Sequence, residues 1–335
     1  MSNILIKLML ALAVVTLSAC GSDGNDFTVA PTPQPPAQGA ITTDNAQDLT
    51  QDVLEGVTSL FDATEMINVI GLPLPGAFAA ASDFAVAGDT PFARLYGFKP
   101  AVPRVGGPIV DTGDCDAGTY TSTWMDMDLN FQITTGDTFD LVFDGCFWSD
   151  PGITLVGDAA ITGIEITGDV LGEIPPWTLA FTIDCEALSG TDVDQFEATM
   201  SGGFSLAAET QNGLIIELSL TGDSVSWIRS GDTDTLIDFV VDEIFDFNTM
   251  TATLDAVGSL DSTVAGETVT FETMESFVII GEGEPSAGQL LITAADSSVL
   301  VSVIDNISLE LSVDTDNDGV RESTFNITWE DLDLD

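Results

Sequence analysis

Apolar positions along this chain recur with two different periods, and the change of period divides it. Leu49, Val53, Val57, Leu60, Phe61, Thr64 and Ile67 fall near one face at helical spacing. Asp44 with Gln47 three residues on makes a capping pair, and Gly71 and Pro73 supply the stop, so the pattern predicts an amphipathic helix over about 44–70. Residues 77–110 are small and apolar, broken by Gly and Pro, and read as an irregular or partly helical connection. From about Tyr120 the period becomes two. Met125, Met127, Leu129, Phe131 and Ile133 alternate with Asp126, Asp128, Asn130 and Gln132, the pattern of a half-buried strand.

The same alternation returns in Phe139-Leu141-Phe143, Leu179-Phe181-Ile183, Leu214-Ile216-Leu218-Leu220, Met250-Ala252-Leu254, Ile307-Leu309-Leu311-Val313 and Phe325-Ile327-Trp329. Asn212-Gly213 between two such runs is a strong hairpin signal. Gly-Asp pairs at 136–137, 157–158, 168–169, 222–223 and 231–232 read as further turns. One polar face per strand implies antiparallel pairing with a wet side and a dry side. The expected fold is mainly β: an antiparallel meander forming a curved sheet, sandwich or partly open barrel, with the one N-terminal helix packed on it. A transmembrane barrel would show the same alternation.

The first residues belong to neither period. Lys7 precedes the apolar run Leu8–Val15, and Leu17-Ser18-Ala19-Cys20 closes the segment, which is too short to favour a spanning helix and reads as an export signal over 1–19. Leu17 to Cys20 resembles the lipobox of bacterial lipoproteins. That resemblance implies cleavage before Cys20, a diacylglyceryl group on its sulfur and acylation of the freed amine. Each buried methylene would add about 0.8 kcal/mol of membrane affinity. Gly21, in place of Asp, implies an outer-membrane address by the same analogy. Residues 20–40, with Pro31, Pro33, Pro35 and Pro36, form a polar tether that cannot build a core. Residues 41–335 are then a single β-rich domain.

Charge narrows the partners. Against 55 acidic residues the 335-residue chain has 6 Lys and Arg, no His, and a net charge of -49. After residue 19 the cations are Arg94, Lys99, Arg104, Arg229 and Arg321. Such a surface repels phosphates, so nucleic acid and anionic headgroups are poor partners and cations are good ones. The lack of His removes Ser-His-Asp and Cys-His nucleophilic systems and His-based zinc sites. No Gly-rich phosphate loop precedes a helix. Paired carboxylates are too common here to identify a glycosidase, because their separation is not visible in sequence. Trp124, Trp148, Trp177, Trp227 and Trp329 could stack on sugars, but tryptophans on strands are more often core anchors.

Two sets of residues remain. Export places Cys115, Cys146 and Cys185 in an oxidising compartment. Cys115 and Cys146 flank a hairpin and are the favoured disulfide, with Cys146–Cys185 the alternative. Asp314, Asp316 and Asp318 followed by Gly319 and Glu322 resemble the start of a calcium loop, as in EF-hands and thrombospondin type-3 repeats. The resemblance implies side-chain ligation by Asp314, Asp316 and Asp318, a carbonyl from Val320, and Glu322 directly or through water. Phe325 stands where an EF-hand carries its bidentate Glu, and strands flank the loop, so an EF-hand proper is excluded. Without a metal the same residues make an acidic hairpin turn.

The cadence Pro285-Ser-Ala-Gly288, Asp296-Ser-Ser, Val313–Gly319 and Thr328-Trp329-Glu-Asp-Leu332, with Cys115-Asp-Ala-Gly-Thr and Phe143-Asp-Gly-Cys146, resembles a group of uncharacterised proteobacterial lipoproteins. The resemblance implies an address and a fold, without an activity. The expected function is therefore a non-enzymatic envelope lipoprotein, joined to the membrane through its anchor and to an envelope protein through its β-rich body. The alternative is a carrier for an apolar ligand such as lipid.

Overall fold

The structure is a computed structural model, and it describes residues 40–70, 108–128, 133–148, 153–169, 174–191, 197–229, 232–281 and 283–332. Fourteen described strands form one antiparallel sheet in which every strand pairs with its neighbours in sequence. They are β1 Ile109–Asp114, β2 Ala117–Met125, β3 Thr138–Trp148, β4 Ile153–Asp169, β5 Ile174–Thr191, β6 Glu197–Thr210 and β7 Ile215–Arg229. β8 Asp232–Asp246, β9 Thr251–Ser262, β10 Glu267–Ile280, β11 Ala287–Thr293, β12 Ser298–Val303, β13 Ser308–Asp314 and β14 Ser323–Thr328 complete it. The meander is open: among the described residues β1 and β14 each have a single neighbour. A 3-10 helix, Trp329–Leu332, follows β14.

Period-two sequence puts Phe139, Leu141 and Phe143, then Leu179, Phe181 and Ile183, then Leu309, Leu311 and Val313 on one face, all buried. These residues belong to one continuous core with Leu49, Val53, Val57 and Leu60 of the helix α1, Ala46–Ile70. Burying each such side chain contributes about 1.5–3 kcal/mol. Among the described residues α1 touches β8, β9, β13 and the 3-10 helix.

Specific contacts seat the helix. Ile41 N–H donates to the buried Ser297 Oγ (2.6 Å), Gln47 Nε2 donates to Asp331 O (2.7 Å), and Ser262 Oγ donates to Asp52 Oδ2 (2.7 Å). Gly56 lies against Trp227, where a Cβ would sit 2.9 Å from the indole, so close approach explains a glycine within a helix. The helix start departs from expectation. Asn45 is its cap, accepting from Thr42 N–H and Oγ1 while its carbonyl accepts from Leu49 N–H; Gln47 is committed to Asp331 instead of Asp44. The side chains of Phe61, Thr64 and Ile67 lie outside the described residues, as do Gly71, Pro73 and 77–107.

Three further expectations are corrected. β2 ends at Met125, and its inward positions are Tyr120, Ser122 and Trp124, so the phase is opposite to the one the Met residues suggest. Asp137 accepts from Met127 N–H (2.9 Å), Thr134 N–H (3.0 Å) and Trp124 Nε1 (3.3 Å), tying the end of β2 to the start of β3; residues 129–132 lie outside the described residues. Met127 is left 65% exposed. Gly157-Asp158 and Gly222-Asp223 are not turns but lie inside β4 and β7, whereas Gly168-Asp169 ends β4. At Gly157 the positive φ of 113° accompanies a register shift, the mark of a β-bulge that bends a long strand. Lastly Leu214, Met250 and Ile307, read as inward, sit at strand ends and are exposed.

Candidate metal centre

The turn between β13 and β14 gathers the acidic residues singled out by their spacing. Asp314, Asp316, Asp318 and Glu322 each offer a carboxylate oxygen, and these atoms lie within 4.8 Å of one another. β13 ends on Asp314, whose side chain is 1% exposed although its backbone opens the turn. Its Oδ1 accepts from Asp318 N–H (3.2 Å) and its Oδ2 from Gly319 N–H (2.9 Å). Asp316 Oδ1 shares the Asp318 N–H (3.3 Å), and Asp318 Oδ1 accepts from Val320 N–H (2.8 Å). Glu322 reaches back across the turn, its Oε2 accepting from Thr315 N–H (2.7 Å) and Oγ1 (3.2 Å). Gly319 takes φ 88°, a left-handed conformation that costs a residue with a Cβ more, which is why glycine follows the third aspartate.

The cluster could hold a metal ion. Four carboxylates form a hard-oxygen set, and oxygen donors converging in one turn suit a hard divalent cation. Val320 joins the turn through its N–H, and its side chain is 60% exposed. Arg321 turns away from the carboxylates, donating to Ser298 Oγ on β12 (2.8 Å). That bond fixes the turn to the neighbouring hairpin, a contact with no sequence signal.

Cys115 and Cys146 form a disulfide, Cα–Cα 5.4 Å, that ties the β1–β2 turn to β3. Cys185 is buried and unbonded, its thiol pushed up to about 11 by burial and by the nearby Asp184. A thiol so held is a poor nucleophile. Cys20 lies outside the described residues.

No protein-family model, curated protein or solved structure matches this chain.

Sequence reasoning missed two carboxyls. Glu243 on β8 faces inward between Leu218 and Leu254, and burial pushes it up to about 7. Asp52 is also pushed up to about 7, by burial first, against the opposing bond from Ser262, with Asp234, Glu55 and Asp48 adding to the rise. Neither lines the open depression of about 240 Å³ on β4–β7, near Gly163, Thr182, Ser205 and Ser219, which also lies away from the metal centre. Trp124, Trp177, Trp227 and Trp329 are all buried, so they act as core anchors and not as sugar platforms.

Proposed function

We propose that this chain is an envelope-anchored bacterial lipoprotein acting as a non-enzymatic structural or interaction module, its last hairpin stiffened by calcium. The convergence of Asp314, Asp316, Asp318 and Glu322 at the edge of the sheet is the observation that carries the calcium part. Among the described residues β14 pairs only with β13, so the β13–β14 turn contributes to how rigidly this edge is presented. A divalent cation there would neutralise carboxylates that otherwise repel one another. The anchor rests on the Leu17–Cys20 sequence, and the net charge of -49 argues against nucleic acid as a partner. The alternative, an apolar carrier, draws no support from the described inner face, which is filled by its own side chains.

A calcium titration followed by melting tests the metal part. Calcium is expected to raise the Tm, and Asp316→Ala with Asp318→Ala to abolish the rise; an identical melting curve with chelator and with calcium removes the claim. Cys20→Ser, with mass spectrometry of the mature N-terminus and membrane fractionation, tests the anchor. Release from the membrane is expected, and an unmodified or uncleaved native N-terminus would end that reading.

A further inference from the structure

An up-and-down meander sends alternate turns to opposite ends of the sheet; among the described residues exposed apolar side chains recur at every turn of one end, whereas the other end shows them at Ile228, Val264 and Val320. The turns β2–β3, β4–β5, β6–β7, β8–β9, β10–β11 and β12–β13 share one end. Each has, in its described residues or at the strand end beside it, a large apolar side chain in solvent: Met127 (65%), Ile174 (61%), Leu214 (46%), Met250 (49%), Ile280 (62%) and Ile307 (61%). Turns normally present polar residues, so six successive exceptions at one end form a pattern. Three of the turns are level with one another, because Ile215 pairs with Asp246, Asp246 with Thr251 and Thr251 with Ile280.

The backbone of these same residues is already satisfied within the protein. Asn212 Oδ1 accepts from Leu214 N–H (2.8 Å) and Ile215 N–H (3.1 Å), and Asp305 Oδ1 accepts from Ile307 N–H (3.0 Å). The turns also bond to one another: Phe247 N–H donates to Leu214 O (2.9 Å), Gly281 N–H to Met250 O (2.8 Å), and Trp329 N–H to Ile307 O (3.1 Å). Moving such residues out of water exposes few unpaired peptide groups, which is the main obstacle to entering an apolar phase.

We propose that this rim of turns rests in the interfacial layer of a lipid bilayer with zwitterionic headgroups, giving the protein a second, peripheral membrane contact. Separate aliphatic tips suit a fluid phase, which each can enter singly. A second copy is disfavoured, since identical rims would bring Asp128, Asp246, Glu284 and Asp305 against their own kind. Those carboxylates also exclude anionic lipid. The chain outside the described residues permits the placement. Residues 21–40 can span at most about 70 Å, whereas Ile41, held beside the β11–β12 turn, is only about 20 Å from the rim along the six residues of β12. The orientation toward the same membrane rests on the lipid-anchor reading; the rim itself does not.

The test uses the full chain in phosphatidylcholine vesicles with and without dibrominated acyl chains. Ile280→Trp and Ile307→Trp report the rim and Val320→Trp the opposite end, each in parent and Cys20→Ser backgrounds. The rim tryptophans are expected to shift to the blue and to lose roughly half of their added emission to bromine, as side chains at interfacial depth do, while Val320→Trp stays unquenched. Rim tryptophans no more quenched than Val320→Trp, on protein that remains with the vesicles, overturn the rim and leave the anchor standing. Rim quenching that persists while Cys20→Ser changes nothing in membrane retention supports the rim and removes the anchor. Concentration-dependent self-association abolished by Ile280→Asp with Ile307→Asp assigns the rim to a second copy, and overturns the proposal.

Discussion

The two ends of the sheet are made by the same meander from similar turns, yet one end is organised by carboxylates and a disulfide and the other by aliphatic tips. At the first end Cys115 is bonded to Cys146, Asp52 meets Ser262, and Asp314, Asp316, Asp318 and Glu322 converge. At the second, Asp305, Asp246 and Asn212 turn back onto their own backbone and leave Ile307, Met250 and Leu214 outermost. The lesson is that an acidic composition does not make a uniform surface. Carboxylates at both ends accept backbone N–H bonds of their own turns; the difference is that four converge in the β13–β14 turn, whereas Asp246 and Asp305 stand one to a turn beside an exposed aliphatic side chain.

The largest expected effect falls on the first end. Replacing Cys115 and Cys146 by Ala should remove about 3–4 kcal/mol, the chain-entropy value for a loop of this size, and the bonded cysteines are 31 residues apart. Hydrogen exchange should rise in β1–β3 and stay unchanged at the rim; a uniform rise would erase the distinction between the ends. Next comes Glu243, three residues from the rim turn at Asp246. Its folded pKa of about 7 exceeds the ordinary 4.5, so its contribution is fully present below about pH 4.5 and is lost as pH rises through about 7. Above that range Glu243→Gln should be more stable than the parent by about 2–3 kcal/mol, with little difference at pH 4.5, by denaturant unfolding. Asp52→Asn should act in the same direction at the opposite end, by about 1 kcal/mol, because partial exposure screens the charge.

Calcium at ten- to thirty-fold above its dissociation constant should stabilise the first end by about 1.5–2 kcal/mol, read as a Tm rise that Asp316→Asn with Asp318→Asn removes. The smallest effect is at the tips. Ile280→Asp with Ile307→Asp should change stability by less than about 0.5 kcal/mol, since both side chains are already in water. A large loss of cooperativity in that variant would mean the tips support the fold, and the contrast between the ends would be one of packing instead of contact with an outside surface.

Much of the fold was legible because burial on one side of a strand leaves a period-two trace. Phe139–Phe143, Leu179–Ile183 and Leu309–Val313 follow it, and Asn212-Gly213 marks its hairpin. Long strands were harder to read. Gly157 and Gly222 look like turn residues, but a glycine that bends a strand and one that ends it leave the same local signature. The aspartate spacing disclosed the acidic cluster that could hold a metal ion, since its members come from one turn. Glu243 and Asp52 left no trace, because their environments are assembled from other strands and from the helix.

Local spacing alone therefore determined the antiparallel class, the helix, the acidic turn and the pairing favoured for Cys115. Each depends on residues close in the chain. Where the strands bend, which carboxyls are desolvated and which turns share an end were decided only when the strands paired and the helix packed on them. Those properties come from pairing across strands, and no window of neighbouring residues records them.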